Sequence, residues 1–191
     1  PDARLVVEAS WSAGVLTSPK SRKIRSVPLA DQPAAVLALG GTMVLKGPNG
    51  MREVAAADFF VDALTTAVEP DEIVTEIRLP KNGGSSGYDK LGRRGGHTDY
   101  AVAGAAAWVS KANGTINDCR VALTGVGAKP TLATATAQGM IGTDGSAKAI
   151  AAAAEKAADE VNVLEDLYGS VEYKTHLAKV FAKRALTKAL A

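Results

Sequence analysis

The sequence predicts an α+β protein of two small units, the second an α/β sandwich of antiparallel strands backed by helices. Three observations carry that expectation. Two pairs of strand-like runs flank turn signals, Gly47-Pro48-Asn49-Gly50 with Asn-Gly at its end and Asn113-Gly114, which read as hairpins. The last quarter of the chain is rich in alanine and long aliphatics with helical spacing. Between them lies Pro80-Lys81-Asn82-Gly83-Gly84, a turn-forming stretch that marks a boundary. We therefore divide the chain into a leader at 1–30, a first unit at 31–82 and a second at 83–191.

The leader has no sustained period. Leu5-Val6-Val7 is a candidate strand, and Lys20, Arg22, Lys23 and Arg25 leave open a basic tail or a solvated connection. Asp31-Gln32-Pro33 supplies an N-cap with proline close behind it, so a short helix is expected over 34–39, ended by Gly40-Gly41. Strands follow at 42–46 and 51–54. Asp58 reads as an acidic cap, Phe59 and Phe60 as core aromatics. Pro70-Asp71-Glu72 launches a strand with Ile73, Thr75, Ile77 and Leu79 on one face and Val74, Glu76 and Arg78 on the other. In the second unit, strands are expected through Tyr88 and Lys90, at 101–111 and at 115–124. Helices follow at 130–138, 147–158 and 170–190, the last capped by Ser170 and packing through Tyr173, Leu177, Val180, Phe181 and Arg184. The run Ala101-Val102-Ala103-Gly104-Ala105-Ala106-Ala107 is unusual for a strand, since alanine is depleted in sheets. It suggests a face against which a helix or a ligand packs closely.

Bulk properties exclude several functions. With 191 residues and 47% hydrophobic content the chain can bury a real core, and its net charge of +2 gives no sign of a nucleic-acid face. Cys119 is the single cysteine, so no disulfide or thiolate metal cage forms within the chain, and one thiol fits a reducing compartment. His97 and His176 alone do not make a metal cluster. No apolar run reaches the length of a membrane span, and Leu5-Val6-Val7 runs straight into Glu8 rather than into a signal-peptide core. We expect a cytoplasmic protein that binds no nucleic acid and does not cross a membrane.

No nucleophile–base set is legible. No serine sits in a G-x-S-x-G elbow. Asp71 and Glu72 read as cap and solvated charge, and His97 with Asp99 is a weak base–orienter pair. His176 reads as a surface or packing histidine, and Gly125-Val126-Gly127 as a tight strand exit. The distinctive stretch is 83–104, where Tyr88, Lys90, Arg93-Arg94 and Tyr100 gather around a glycine-flanked turn. Two readings stand: a solvated hairpin loop, or a holder for a planar ligand.

Residues 50–80, GMREVAAADFFVDALTTAVEPDEIVTEIRLP, closely resemble the flavoprotein medium subunit of molybdenum-containing carbon monoxide dehydrogenase and its relatives, which include the flavin domain of xanthine dehydrogenases. The likeness continues through Tyr88-x-Lys90, Arg93-Arg94, the Asp99-Tyr100-Ala101-Val102-Ala103-Gly104 run, the 121–127 stretch VALTGVG and Gly169-Ser170-Val171-Glu172-Tyr173, and covers roughly residue 28 to the C-terminus. It implies the second lobe of an FAD-binding domain followed by a CO dehydrogenase flavoprotein C-terminal-like domain. Five flavin contacts carry over residue by residue. Asp31 matches an aspartate on the ribityl–phosphate side, and Ile73 and Val74 an aliphatic pair beside the isoalloxazine. Lys90 matches a lysine at the ring's polar edge, and Tyr100 a residue over the ring.

The resemblance also implies FAD as cofactor, molybdopterin on a large partner subunit, 2Fe–2S clusters on a small one, and a dimer of heterotrimers that passes electrons through FAD to an external acceptor. The family's two upstream glycine-rich loops, which hold the FAD pyrophosphate, do not occur in this sequence, and Arg25 and Val27 replace its H-x-D. The chain thus resembles the C-terminal two-thirds of such a subunit behind an altered leader. The rival expectation is a structural assembly module that has lost FAD along with those loops.

Overall fold

In a computed structural model of the chain, residues 3–5, 10–12, 15–17, 32–81, 83–94 and 100–191 are described, the first three segments as backbone only. Strand β1 (Ala3–Leu5) and the hairpin of β2 (Ser10–Ser12) and β3 (Val15–Thr17) come first. Of the expected leader strand, Leu5 falls within β1, which pairs antiparallel with the end of a later strand, and Val6 and Val7 lie outside the described residues. Helix α1 (Gln32–Leu39) follows. It stops at Gly40, whose φ of +71° suits glycine, and the Gly40 and Gly41 amides close the end by donating to Leu37 and Val36 carbonyls. Asp31, the expected cap, lies outside the described residues.

Strands β4 (Thr42–Gly47) and β5 (Gly50–Ala55) form the first expected hairpin. Helix α2 (Ala56–Phe59) buries Ala56 and Phe59; Asp58 lies inside this single turn and does not cap it. A small ribbon, β6 (Phe60–Asp62) and β7 (Thr65–Thr66), leads to β8 (Ile73–Leu79). The first sheet has the order β1-β8-β4-β5.

Strand β8 departs from simple alternation. Val44 pairs with Glu76 but Leu45 pairs with Val74, so Thr75 is an extra residue in the ladder, and its hydroxyl donates to the Val44 carbonyl at 3.2 Å. Residues directly opposite share a face. Val74 therefore joins Leu45 and Met43 on the side of Ile77, while Ile73 turns to the side of Lys46. The bulge separates Ile73 from Thr75 and corrects the expected faces.

The second sheet is fully antiparallel, in the order β12-β11-β10-β9: β9 (Ser85–Gly92), β10 (Ala101–Ala112), β11 (Thr115–Thr124) and β12 (Thr131–Leu132). The β10–β11 turn places both Asn113 (φ 53°) and Gly114 (φ 81°) in the left-handed region, as an Asn-Gly hairpin turn demands. Pairing of Leu132 with Ala122 makes 131–132 a strand, so the helix expected from 130 begins later, as α3 (Thr134–Met140). Helix α4 (Ala147–Ala154) is shorter than expected and gives way to turns over 155–160. Helix α5 (Val171–Leu190) is capped as expected, the Ser170 hydroxyl accepting the Tyr173 amide at 3.2 Å. Its buried face, however, is Lys174, Leu177, Ala178, Phe181, Ala182, Ala185, Leu186 and Ala189; Tyr173 and Arg184 lie outside it.

Two apolar clusters explain the layering. On one side of the second sheet, Ala103, Ala105, Ala107, Val109, Val121 and Leu123 pack with α3, α4 and α5. On the other, Ala106 and Ala122 join Ala34, Leu37 and Ala38 of α1 and Met43 and Leu45 of the first sheet. Helix α1, apolar nearly all round, is thus a layer between the sheets. Helix α5 approaches β9 so closely that a Cβ on Gly87 would stand 2.3 Å from the Ala185 carbonyl oxygen and 2.6 Å from the Ala189 nitrogen. Polar ties run along the same contact: Lys188 Nζ donates to the Tyr88 carbonyl at 3.1 Å and lies 3.4 Å from Asp89, and the Ser85 hydroxyl donates to the Ala189 carbonyl.

Gly87→Ala should therefore destabilise the protein by about 1–3 kcal/mol, the usual cost of overpacking, because backbone rather than a flexible side chain must move. Urea unfolding of the two proteins checks this; equal midpoints would show that the strand–helix contact is looser than described.

Candidate functional site

The hairpin of β9 and β10 carries the distinctive stretch. Register places Lys90 opposite Gly104, and Gly104 opposite Thr124, so the three lie abreast on the α1 side of the sheet. The next row is Tyr88, Ala106, Ala122 and Leu132. The neighbours close tightly over Gly104: a Cβ there would sit 3.1 Å from both Lys90 Cβ and the Tyr88 hydroxyl, and 3.2 Å from Thr124 Cγ2. Lys90 is half-buried there, and Thr124 is buried.

At the mouth of this hairpin the Arg93 amide donates to the Tyr100 carbonyl at 3.1 Å. The Arg93 guanidinium lies 5.0 Å from the Tyr100 ring centre and 4.5 Å from that of Tyr168, a cation between two aromatic faces. Tyr100 is 61% exposed. His97 and Asp99 lie outside the described residues.

The other two candidates sit on the first sheet. Ile73 is 64% and Val74 41% exposed, at the end of β8 that pairs with Lys46 and Leu45. The structure thus brings Lys90 and Tyr100 onto one hairpin and leaves Ile73 and Val74 on the neighbouring sheet. What presents the aliphatic pair is a clamp that sequence reading missed. Arg52 Nε and Nη2 each donate to a different oxygen of Glu72 at 2.7 Å, and Nη2 also donates to the Ala67 carbonyl at 2.6 Å. Glu72 also accepts the Glu69 amide at 2.9 Å, closing the 69–72 turn immediately before Ile73. Glu72 is therefore not a solvated charge. The signal was present in the G-x-R-x-V and P-D-E motifs, but nothing in their spacing pairs residues twenty apart across two strands.

Protonation follows from this geometry. The hydrogen bonds from Arg52, with that from the Glu69 amide, hold the Glu72 carboxyl down from 4.5 to about 2. Burial pushes the Cys119 thiol up to about 12, with Asp118 adding to the effect, which rules out thiolate chemistry there at neutral pH. His176 is exposed on the rim of a groove between α4 and α5, away from the sheet rows just described. Among the described residues no group of His, Cys, Asp and Glu is placed to hold a metal ion.

The class follows from fold and sequence together. Residues 86–189 match the family described as the CO dehydrogenase flavoprotein C-terminal domain, and residues 23–82 match the FAD binding domain in molybdopterin dehydrogenase. The chain belongs to this flavoprotein family. The second match starts five residues ahead of the residue-28 limit read from motifs. Among curated relatives, the carbon monoxide dehydrogenase medium chain of Hydrogenophaga pseudoflava is 37% identical over 84% of this chain and 56% of its own length. The nicotine 6-hydroxylase medium subunit of Paenarthrobacter nicotinovorans is 31% identical over 83% and 56%. The chain thus spans a little over half the length of the curated relatives it matches. In solved structures, carbon monoxide dehydrogenase from Hydrogenophaga pseudoflava superposes with a TM-score of 0.78 at 38% identity, covering 85% of this chain and 57% of that one. Quinoline 2-oxidoreductase from Pseudomonas putida 86 does so with 0.76 at 29% identity, covering 84% and 55%.

Arg52→Gln should return the Glu72 carboxyl toward 4.5. Because folding lowers this pKa, the clamp's stabilisation is complete above the unfolded value and is lost as pH falls from 4.5 through about 2. Carbon-detected NMR titration of the glutamate side chains reads this directly. A Glu72 midpoint still near 2 in the variant would assign the shift to the Glu69 amide instead.

Proposed function

We propose that this chain is the ring-side part of the FAD-bearing medium subunit of a molybdenum hydroxylase such as carbon monoxide dehydrogenase. The observation that carries the reading is the exposed aliphatic and aromatic surface of Ile73, Val74 and Tyr100, in a chain whose relatives are medium subunits and whose β9 sets the half-buried Lys90 opposite Gly104. The residues suit a flavin ring. Ile73, Val74 and Tyr100 are exposed apolar surfaces of the kind that grip a planar group, and Gly104 keeps the backbone beside Lys90 bare. Bound FAD would supply one- and two-electron redox chemistry. Lys90 would hold a positive charge at the ring's polar edge, favouring negative charge arising there on reduction. Tyr100 would cover one ring face and limit the approach of bulky acceptors, and Asp31 would lie toward the ribityl–phosphate side.

In this reading, 31–82 completes the FAD-binding domain and 83–191 is the C-terminal domain. Electrons enter from 2Fe–2S clusters of a small subunit and leave to an external acceptor, while a large subunit holds molybdopterin, in a dimer of heterotrimers. A cytoplasmic setting agrees with the single buried cysteine. No helix among the described residues is long and apolar enough to cross a membrane.

The test is spectroscopic. The complex isolated with this chain should show oxidised-flavin bands. The chain alone should hold FAD more weakly than micromolar, because its sequence lacks the family's pyrophosphate loops and a diphosphate without backbone donors loses its main anchor. A complex devoid of flavin would favour an assembly module. In the flavin-loaded complex, Lys90→Met should lower the flavin reduction potential without unfolding the subunit; an unchanged potential would remove Lys90 from the site.

A further inference from the structure

Lys174, in the first turn of α5, is the one charged side chain fully buried among the described residues, at 2% exposure. An unpaired ammonium in such a place is costly, so its partners matter. Nζ donates to the Gly125 carbonyl at 3.2 Å and to Asp166 Oδ2 at 2.7 Å. Both partners lead to the same place. Gly125 ends β11 with φ +81°, and a Cβ there would stand 2.5 Å from the Ala101 carbonyl oxygen and 2.9 Å from that of Val102. Its backbone is therefore pressed against the two residues that follow Tyr100. Asp166 Oδ1 accepts the Tyr168 amide at 2.8 Å, Tyr168 stacks on Arg93, and Arg93 stacks on Tyr100 while its own amide donates to the Tyr100 carbonyl.

We propose that Lys174 is a positioning residue for Tyr100. It joins the β11 exit to the loop before α5, so that the start of β10 and the Arg93–Tyr168 stack are held in one arrangement. The site gains a rigid support from behind, with no contact between Lys174 and the ring-side residues themselves. The consequence for cofactor binding rests on the reading that Tyr100 covers the flavin. The arrangement at Tyr100 does not.

The protein has four tyrosines, so tyrosine ring labelling gives four assignable signals. In Lys174→Met the Tyr100 and Tyr168 signals should move toward those of a free exposed tyrosine, while Tyr88, in the other apolar cluster, stays in place. Lys174→Met leaves Asp166, whose side chain is 47% exposed, without its ammonium partner. The double variant Lys174→Met/Asp166→Asn removes both charges together while the Asn oxygen still accepts the Tyr168 amide, so only the lysine junction is lost. A folded variant of either kind with Tyr100 unmoved would overturn the proposal, since a lysine that merely glues the core lowers the melting temperature without moving that ring.

In the flavin-loaded complex the double variant should weaken FAD by roughly fivefold, the low end of what losing one aromatic stack costs. If Tyr100 moves and FAD binding does not change, the positioning role stands and the flavin role of Tyr100 falls. If Tyr100→Ala weakens FAD while the double variant changes neither Tyr100 nor FAD, the positioning role falls and the flavin reading stands.

Discussion

Everything in this fold is arranged around a strand that is buried on both faces. Antiparallel sheets commonly leave one face to water. Strand β10 does not: Ala103, Ala105 and Ala107 face the α5 side, Ala106 faces α1, and all are buried. Small side chains let helices approach from both directions, and at Gly87 the approach reaches backbone against backbone. Alanine's poor strand propensity is offset by that packing, which is a tertiary and not a local effect. The same smallness lets Lys90, Tyr88 and Thr124 close over Gly104, so the feature that sets the layer spacing also fixes where the Lys90 stem lies.

The elements that were legible in the sequence are those with strong local chemistry. The two hairpins, the first turning through Pro48-Asn49 and the second through Asn113-Gly114, the Gly40-Gly41 stop and the Ser170 cap are each decided within a few residues, and the structure has them where expected. The failures are all tertiary. Thr131 and Leu132 carry no helix-breaking residue of their own, and become a strand because β11 offers an open edge at Ala122 and Leu123. The β8 sequence alternates without a glycine or other bulge signal, so the extra residue at Thr75 shows only in its pairing with β4. On α5 the expected face followed the large apolar side chains, whereas the real one follows the alanines that fit closely against β9 and β10.

The same division runs through the candidate site. Lys90 and Tyr100 stood out because glycine, cation and aromatic cluster within one short stretch. Arg52 and Lys174 did not, because a lone cation in a strand or helix reads as solvated, and each finds its carboxylate across a loop or a sheet. The contrast between these two pairs is instructive. The Arg52–Glu72 clamp is bidentate and half-open to solvent, where it orders a turn more than it adds stability. Lys174 is buried, so removing its partner alone is expensive while replacing both is not. Specific arrangement, more than net stabilisation, is what both pairs offer.

That matters because the proposed ring-side residues come from two sheets. Ile73 and Val74 are presented by the first, through the Arg52–Glu72 turn, Lys90 by the second, through its pairing with Gly104, and Tyr100 beside it, in the proposed reading through the Lys174 junction. The spacing between the sheets is set by α1, whose Ala34, Val36, Leu37 and Ala38 are all buried and which is closed at its end by glycines. Gly41 allows no side chain there: a Cβ would lie 2.5 Å from Val36 Cγ1 and 3.0 Å from Leu79 Cδ2. A planar group gripped from both sheets would be sensitive to this spacing at the scale of a methyl group, since packed interiors shift as units and do not deform continuously. The small residues of α1 and β10 therefore do for the two sheets what Gly104 does for Lys90: they fix how near two surfaces come.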